Sequence, residues 1–171
     1  MRSEVKTARV AGIRAALIFL GLLAGLFAFG YATSLGRALN DAANVWTSST
    51  CVSLLRAIGV DAHLDGTYIH TSTFSVYIVD ACNGFHALWL VWAACLSTPA
   101  RWRARGLACC AAVPLIATLN QVRLVIEMLY GSLYPETFAI LEEGVMRIAY
   151  AALSLLLLYL WADRAVRPSH R

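Results

Sequence analysis

The sequence predicts an all-α integral membrane bundle of about four transmembrane helices. An extracytoplasmic amphipathic helix and a short β-hairpin are set between the first two. Three observations predict this fold class. Of 171 residues, 60% are hydrophobic and 14% charged, and the mean hydropathy is +0.65, which leaves too little polar surface for a water-soluble domain. The apolar residues fall in long runs that approach the thickness of a bilayer. The basic residues flank those runs instead of dispersing over them. The length suits a single membrane domain, residues 1–171.

The first span is expected at about 14–31, RAALIFLGLLAGLFAFGY. A cleaved signal peptide is the competing reading. The apolar run exceeds the ~7–15 residues of a signal core, so a retained helix is expected. Residues about 33–83 form the extracytoplasmic insert. Within it, 38–58 predicts an amphipathic helix with an apolar face of Val45, Trp46, Val52, Leu55 and Ile58. Beyond it, Gly59, Gly66 and partial alternation of β-branched residues predict two strands, about 67–71 and 74–79. The second span, about 84–98, is stopped by Pro99. It is short for a bilayer, so it either begins a few residues earlier or is tucked into the bundle. The third span is expected at about 106–130 and the fourth at about 145–162.

Ten of the 14 basic residues stand in three places. Arg2, Lys6, Arg9 and Arg14 precede the first span, Arg101, Arg103 and Arg105 lie between the second and third, and Arg164, Arg167 and Arg171 follow the fourth. The intervening segments hold most of the acids: Asp41, Asp61, Asp65, Asp80, Glu136, Glu142 and Glu143. By the positive-inside rule, both termini and the RWRAR loop are cytoplasmic, and residues about 33–83 and 131–144 are extracytoplasmic. The protein is therefore expected as a multi-pass protein of the cytoplasmic (inner) membrane. Arginines at such topological positions argue against nucleic-acid binding.

Cys95, Cys109 and Cys110 fall inside apolar spans, where thiols are ordinary packing residues. Cys51 and Cys82 fall on the outer side, and whether they pair is open. No C-x-x-C pair and no metal-ligand spacing is present, so no metal or cofactor is expected.

Helix geometry converts the polar positions into depths. Arg123 is 17 residues beyond Gly106, about 25 Å along a helix. Cys82 is 16 residues before Thr98, about 24 Å. Both lie near the outer boundary of a ~30 Å hydrocarbon core. Glu143 and Arg147 open the fourth span at the same level. An ionisable residue within a span is costly and marks a candidate site. Asn120 shares a helix face with Arg123, and Glu127, four residues on, is placed to pair with it. Asn83 can cap the second helix, and Gly84 lets another chain approach. His86 can share a face with Cys82, although a histidine at a span entrance is more often a satisfied interfacial group.

ACNG at 81–84, the basic inner loop, NQVR at 120–123 and the outer loop before a last helix together resemble the exosortase/archaeosortase family of membrane transpeptidases. The C-N-G form is similar to the exosortase H type. The resemblance covers about residues 40–160. It implies a membrane-embedded site of a Cys, an Arg and a third residue, usually His or Arg. On this chain it makes Cys82 the nucleophile and Arg123 the second member. TFAILEEGVMR has no histidine where relatives usually show one. Glu142 or Glu143 occupies that approximate position. Arg147 is the preferred third residue, with His86 an alternative general base and Asn120 and Glu143 in support.

The function implied is cleavage of the C-terminal sorting signal of exported proteins at the outer face of the membrane. The partners implied are a tail helix and an acceptor amine, with a lipid as one source. Two other classes compete. One is a catalytically degenerate scaffold that binds the same tail. The other is a thiol oxidoreductase using Cys51 and Cys82, against which the missing C-x-x-C and the presence of Arg123 argue.

Overall fold

The computed structural model describes residues 2–166, with side chains described for all of these except 2–11, 143, 147, 158–159 and 162–166. Five α-helices and a small sheet follow one another: α1 (Arg2–Ala32), α2 (Ser34–Ala57), β1 (Ala62–Asp65), β2 (Tyr68–Thr71), β3 (Ser75–Tyr77), α3 (Phe85–Ser97), α4 (Trp102–Leu133) and α5 (Arg147–Val166). A 3-10 turn, Asp80–Cys82, leads into α3. A second one, Pro135–Thr137, and a π-helical segment, Ile140–Met146, join α4 to α5.

Two helices are long and apolar enough to cross a membrane, Gly12–Ala32 and Trp102–Leu133. α1 presents Ile13, Leu17 and Leu20 outward, as a lipid-facing helix does. α3 is apolar but has only 13 residues, about 20 Å. It does not extend before Gly84, because the preceding residues form the 3-10 turn. α4 has 32 residues, about 48 Å, well beyond a ~30 Å hydrocarbon core. Its start corrects the expected loop, because Trp102–Arg105 already belong to the helix. Its far end supports the sheet, where Thr71 Oγ1 and Ser132 Oγ are 2.9 Å apart.

α2 corrects the expected amphipathic pattern. Val45, Trp46 and Ile58 are exposed, while Val52 and Leu55 are buried. The buried stripe is largely polar: Gly36, Asn40, Asn44, Thr47, Ser48 and Cys51. It runs at the helical spacing, but the helix turns its amides inward, where other elements supply hydrogen-bond partners. The joint with α1 is tight. Thr33 caps α2 by accepting from the Gly36 N–H at 2.9 Å. A Cβ on Gly36 would overlap the Phe29 carbonyl oxygen, so only glycine fits.

The sheet is a three-stranded antiparallel meander in the order β1-β2-β3, not the expected hairpin. The first strand, AHLD, follows Asp61 and ends in Asp65, and carries little β signal of its own. It pairs with β2 from Ala62↔Thr71 to Asp65↔Tyr68.

Two buried clusters result. One joins Cys51, Val52 and Leu55 of α2 to Ala62 and Ile69 of the sheet, Cys82, and Leu124 and Met128 of α4. The other joins Leu88, Val91 and Cys95 of α3 to Ala112 and Ile116 of α4, with Trp161 of α5 packed against it. Cys82 belongs to the first cluster, and Phe85, three residues on, packs against the second.

Candidate active site

Residues 80–84 form a turn that is held from three sides. Asp80 Oδ1 accepts a hydrogen bond from Asn44 Nδ2 at 2.7 Å. Asn83 Nδ2 donates to Asn40 Oδ1 at 3.2 Å and Asn44 Oδ1 at 3.0 Å. Its Oδ1 accepts from the Phe85 N–H at 2.9 Å, although Gly84 and not Asn83 is the N-cap of α3 and no side chain caps it. Asn120 Nδ2 donates to the Cys82 carbonyl at 2.7 Å. Gly84 has φ +87, a left-handed conformation that favours glycine, and a Cβ there would sit 3.4 Å from the Asn120 side chain. Buried amides with partners on several elements fix a turn far more tightly than its own backbone would. Cys82 therefore has a defined position although it lies outside a regular helix.

Arg123 stands on α4 one turn beyond Asn120. Its Nε donates to Glu127 Oε1 at 2.7 Å, with the two side chains 11% and 5% exposed. The expected local ion pair is therefore present and almost fully buried. It uses Nε, and the Nη groups make no hydrogen bond among the described residues. The guanidinium carbon lies 5.7 Å from the centroid of the Tyr150 ring on α5, a cation–π distance.

A cavity of about 570 Å³ lies among α1, α3, α4 and α5. Cys82, His86, Arg123 and Glu142 all line it. The structure thus gathers onto one cavity four residues drawn from four separate elements. Most of the remaining wall is apolar, from Leu23 and Phe27 of α1 to Leu90 of α3 and Ala151 of α5. Asn120 does not line it and instead holds the Cys82 backbone.

The Cys82 thiol is 6% exposed. Burial pushes it up from its ordinary value, hydrogen bonding to the Val79 backbone and the Arg123 charge pull it back, and Glu142 and Glu127 push it up again. Burial has the largest effect, so the resting group is the neutral thiol. Arg123 is the cation poised to favour its ionised form.

Of the other expected residues, His86 is hydrogen-bonded to Tyr31 and stacked on Phe27 with centroids 5.1 Å apart, so it sits at the cavity already partnered. Glu143 lies in the π-helical segment and Arg147 opens α5. Their side chains fall outside the described residues. Cys51 and Cys82 are both free thiols. Sequence reasoning missed Asn40, Asn44 and Tyr150. The i,i+4 spacing of the two asparagines was the available signal, whereas nothing local distinguishes Tyr150 from the apolar residues around it.

No curated protein and no solved structure matches the chain. One family description does, over residues 7–160, which takes in α1, the sheet, the Cys82 turn, Arg123 and most of α5. A thiol and a buried guanidinium on one cavity, in a chain matched over nearly its whole length, lead to one assignment: the chain belongs to the transmembrane exosortase family (Exosortase_EpsH).

Proposed function

We propose that this protein is a membrane cysteine transpeptidase that cleaves the C-terminal sorting signal of exported proteins. The observation that carries the reading is that Cys82 and Arg123, 41 positions apart in the chain, line one cavity. α1, α3, α4 and α5 serve as four spans, with both termini cytoplasmic and the sheet outside. The 10 basic residues at or just beyond one end of α1, α4 and α5 support that orientation. Cys82 then lies at the outer membrane boundary of the cytoplasmic (inner) membrane.

Cys82 gives up its proton and its sulfur attacks a backbone carbonyl of the substrate. The C–S bond forms and the carbonyl π pair moves onto oxygen, where Arg123 stabilises it. When the tetrahedral intermediate collapses, the C=O bond re-forms and the C–N bond breaks. The leaving nitrogen takes up the proton that left Cys82, and a thioester remains on the protein. An amine on the acceptor, supplied by a lipid or another molecule, attacks the thioester; the new C–N bond forms, the C–S bond breaks, and the proton lost by the nitrogen returns to the sulfur to restore the Cys82 thiol. Arg147, at the head of α5, is the proposed third residue. It contributes charge, since a guanidinium is a poor proton donor. His86, which lines the cavity, is a group able to carry a proton.

The apolar wall gives a reason for the substrate class. A transmembrane tail helix resting against α1, α3 and α5 would bring the peptide bond at its outer end to Cys82 without an entropic search. The test is co-expression with a tail-bearing substrate, following its size in wild type, Cys82→Ala and Arg123→Ala. Wild type is expected to shorten the substrate and both variants to leave it intact. Processing that persists in Cys82→Ala would overturn the mechanism and leave the tail-binding scaffold as the better reading.

A further inference from the structure

Between α4 and α5 the chain carries two adjacent acids, Glu142 and Glu143, in the π-helical segment Ile140–Met146. Glu142 is partly buried there and lines the cavity with Cys82 and Arg123. Its carboxylate makes no hydrogen bond or ion pair among the described residues. Most of the wall around it is apolar, and a carboxylate so placed calls for a cation or for water. Arg123 is already engaged, because its Nε is given to Glu127 in a nearly fully buried pair. The charges of that pair offset each other, which leaves Glu142 as the unmatched charge among the described cavity residues. Glu142 does not activate Cys82 either. Its charge pushes the thiol up, against the effect of Arg123. That opposition ends once Cys82 is a neutral thioester, while the carboxylate remains at the cavity.

We propose that Glu142 selects the acceptor: its carboxylate binds the ammonium form of a primary amine at the cavity and takes the proton that frees the nitrogen to attack the Cys82 thioester. The inference rests on the cysteine-transpeptidase reading and names what recognises its second substrate. A primary amine is protonated at neutral pH, so it arrives as a cation and without a lone pair. A charge-assisted hydrogen bond to Glu142 holds it. One proton then passes from nitrogen to the carboxylate. Both charges vanish together in that step, and a water-poor, apolar wall favours the neutral pair. The freed lone pair attacks the thioester carbon, the C–N bond forms and the carbonyl π pair moves to oxygen beside Arg123. On collapse the C=O bond re-forms, the C–S bond breaks and the nitrogen gives a second proton to the sulfur. Glu142 returns its proton to water. The products are an amide, the Cys82 thiol and one released proton. Water is uncharged and gains no such ion pair with Glu142, so the carboxylate favours transfer to an amine over hydrolysis.

The test uses the full chain in detergent micelles with a tail-bearing peptide and two competing nucleophiles, ethylamine and hydroxylamine. Ethylamine is cationic at neutral pH, whereas hydroxylamine is largely uncharged and still attacks thioesters. The ratio of ethylamide to hydroxamate product depends only on how the thioester is partitioned, not on how fast it forms. Glu142→Gln keeps the size of the side chain and removes its charge. It is expected to lower that ratio roughly 10–100-fold, the worth of one hydrogen bond to a charged group, while hydroxamate is still made. A wild-type ratio in Glu142→Gln would overturn the proposal. So would the loss of both products, because Glu142 would then serve the fold or the first half of the reaction. Cleavage that survives in Cys82→Ala sinks the transpeptidase reading itself, whereas loss of cleavage in Cys82→Ala with an unchanged ratio in Glu142→Gln rejects only the role of Glu142.

Discussion

Cys82 is a buried thiol whose reactivity is governed by competing charges. Burial pushes it up, and Arg123 opposes that with less effect. The thiolate fraction is therefore small at neutral pH and grows about tenfold per pH unit below the group's raised value. In a variant lacking the other four cysteines, alkylation of Cys82 is expected to be slow near pH 7 and to accelerate steadily as pH rises. Arg123→Ala should slow it at every pH, since the stabilising charge is lost while Glu142 and Glu127 remain. An alkylation rate indifferent to Arg123 would mean that the guanidinium does not act on the sulfur. Asn83 is the second sensitive position. Asn83→Asp removes two donated hydrogen bonds and leaves carboxylate oxygens facing the Asn40 and Asn44 oxygens. Each lost buried partner costs about 1–3 kcal/mol, so a clear fall in the thermal midpoint in detergent is expected, together with loss of cleavage.

At the scale of elements, the site depends on how α2 leaves α1. The Thr33 cap and the glycine contact at Gly36 bring the polar stripe of α2 against residues 80–84, where Asn40 and Asn44 bind the turn. Gly36→Ala forces a Cβ against the backbone of α1. Overpacking of this kind costs about 1–3 kcal/mol, and the strain falls on the joint that sets the position of α2. We expect lower stability, measured by thermal unfolding in detergent, and a displaced Cys82 turn, seen as altered Cys82 alkylation. Substitution of exposed Val45 or Trp46 by alanine should do neither in detergent. The π-helical segment has a related role at the other wall. It brings Glu142 to the cavity and delivers Tyr150 on the turn after it. Such segments interrupt the regular ladder and recur at functional sites.

For the whole molecule, the long α4 is the axis. Its basic start, its buried middle and its far end against the sheet lie on one continuous helix of about 48 Å. If the charge distribution sets orientation as proposed, a cysteine at Ser72, exposed beyond β2, should react with a membrane-impermeant maleimide added to intact spheroplasts. One at Trp102, 77% exposed at the other end of α4, should react only after the membrane is opened. The reverse pattern would invert the proposed topology.

The amino-acid sequence by itself determined the membrane as the solvent of this protein and the spacing of its polar residues along each apolar run. Long apolar runs and flanking arginines are local, additive signals, and the distance from Gly106 to Arg123 is simple helix geometry. The same locality made the Arg123–Glu127 pair and the contact of Asn83 with the start of α3 legible, since each partner lies within four residues of the other. Only the tertiary structure decided the inward face of α2, the third strand and the orphaned hydroxyl of Tyr150. The α2 stripe reads as solvent-facing from its own composition, because its amides meet their partners on residues 80–83, about 40 positions away. β1 gains its hydrogen bonds from β2 rather than from any propensity in AHLD. Tyr150 is one tyrosine in an apolar helix until packing sets Arg123 over its ring, brings the residue to the wall of the cavity and leaves its hydroxyl buried without a partner among the described residues. Hydrogen bonds and burial between distant segments exist only once the chain has closed on itself, and they supply the positions that helix periodicity and charge leave undetermined.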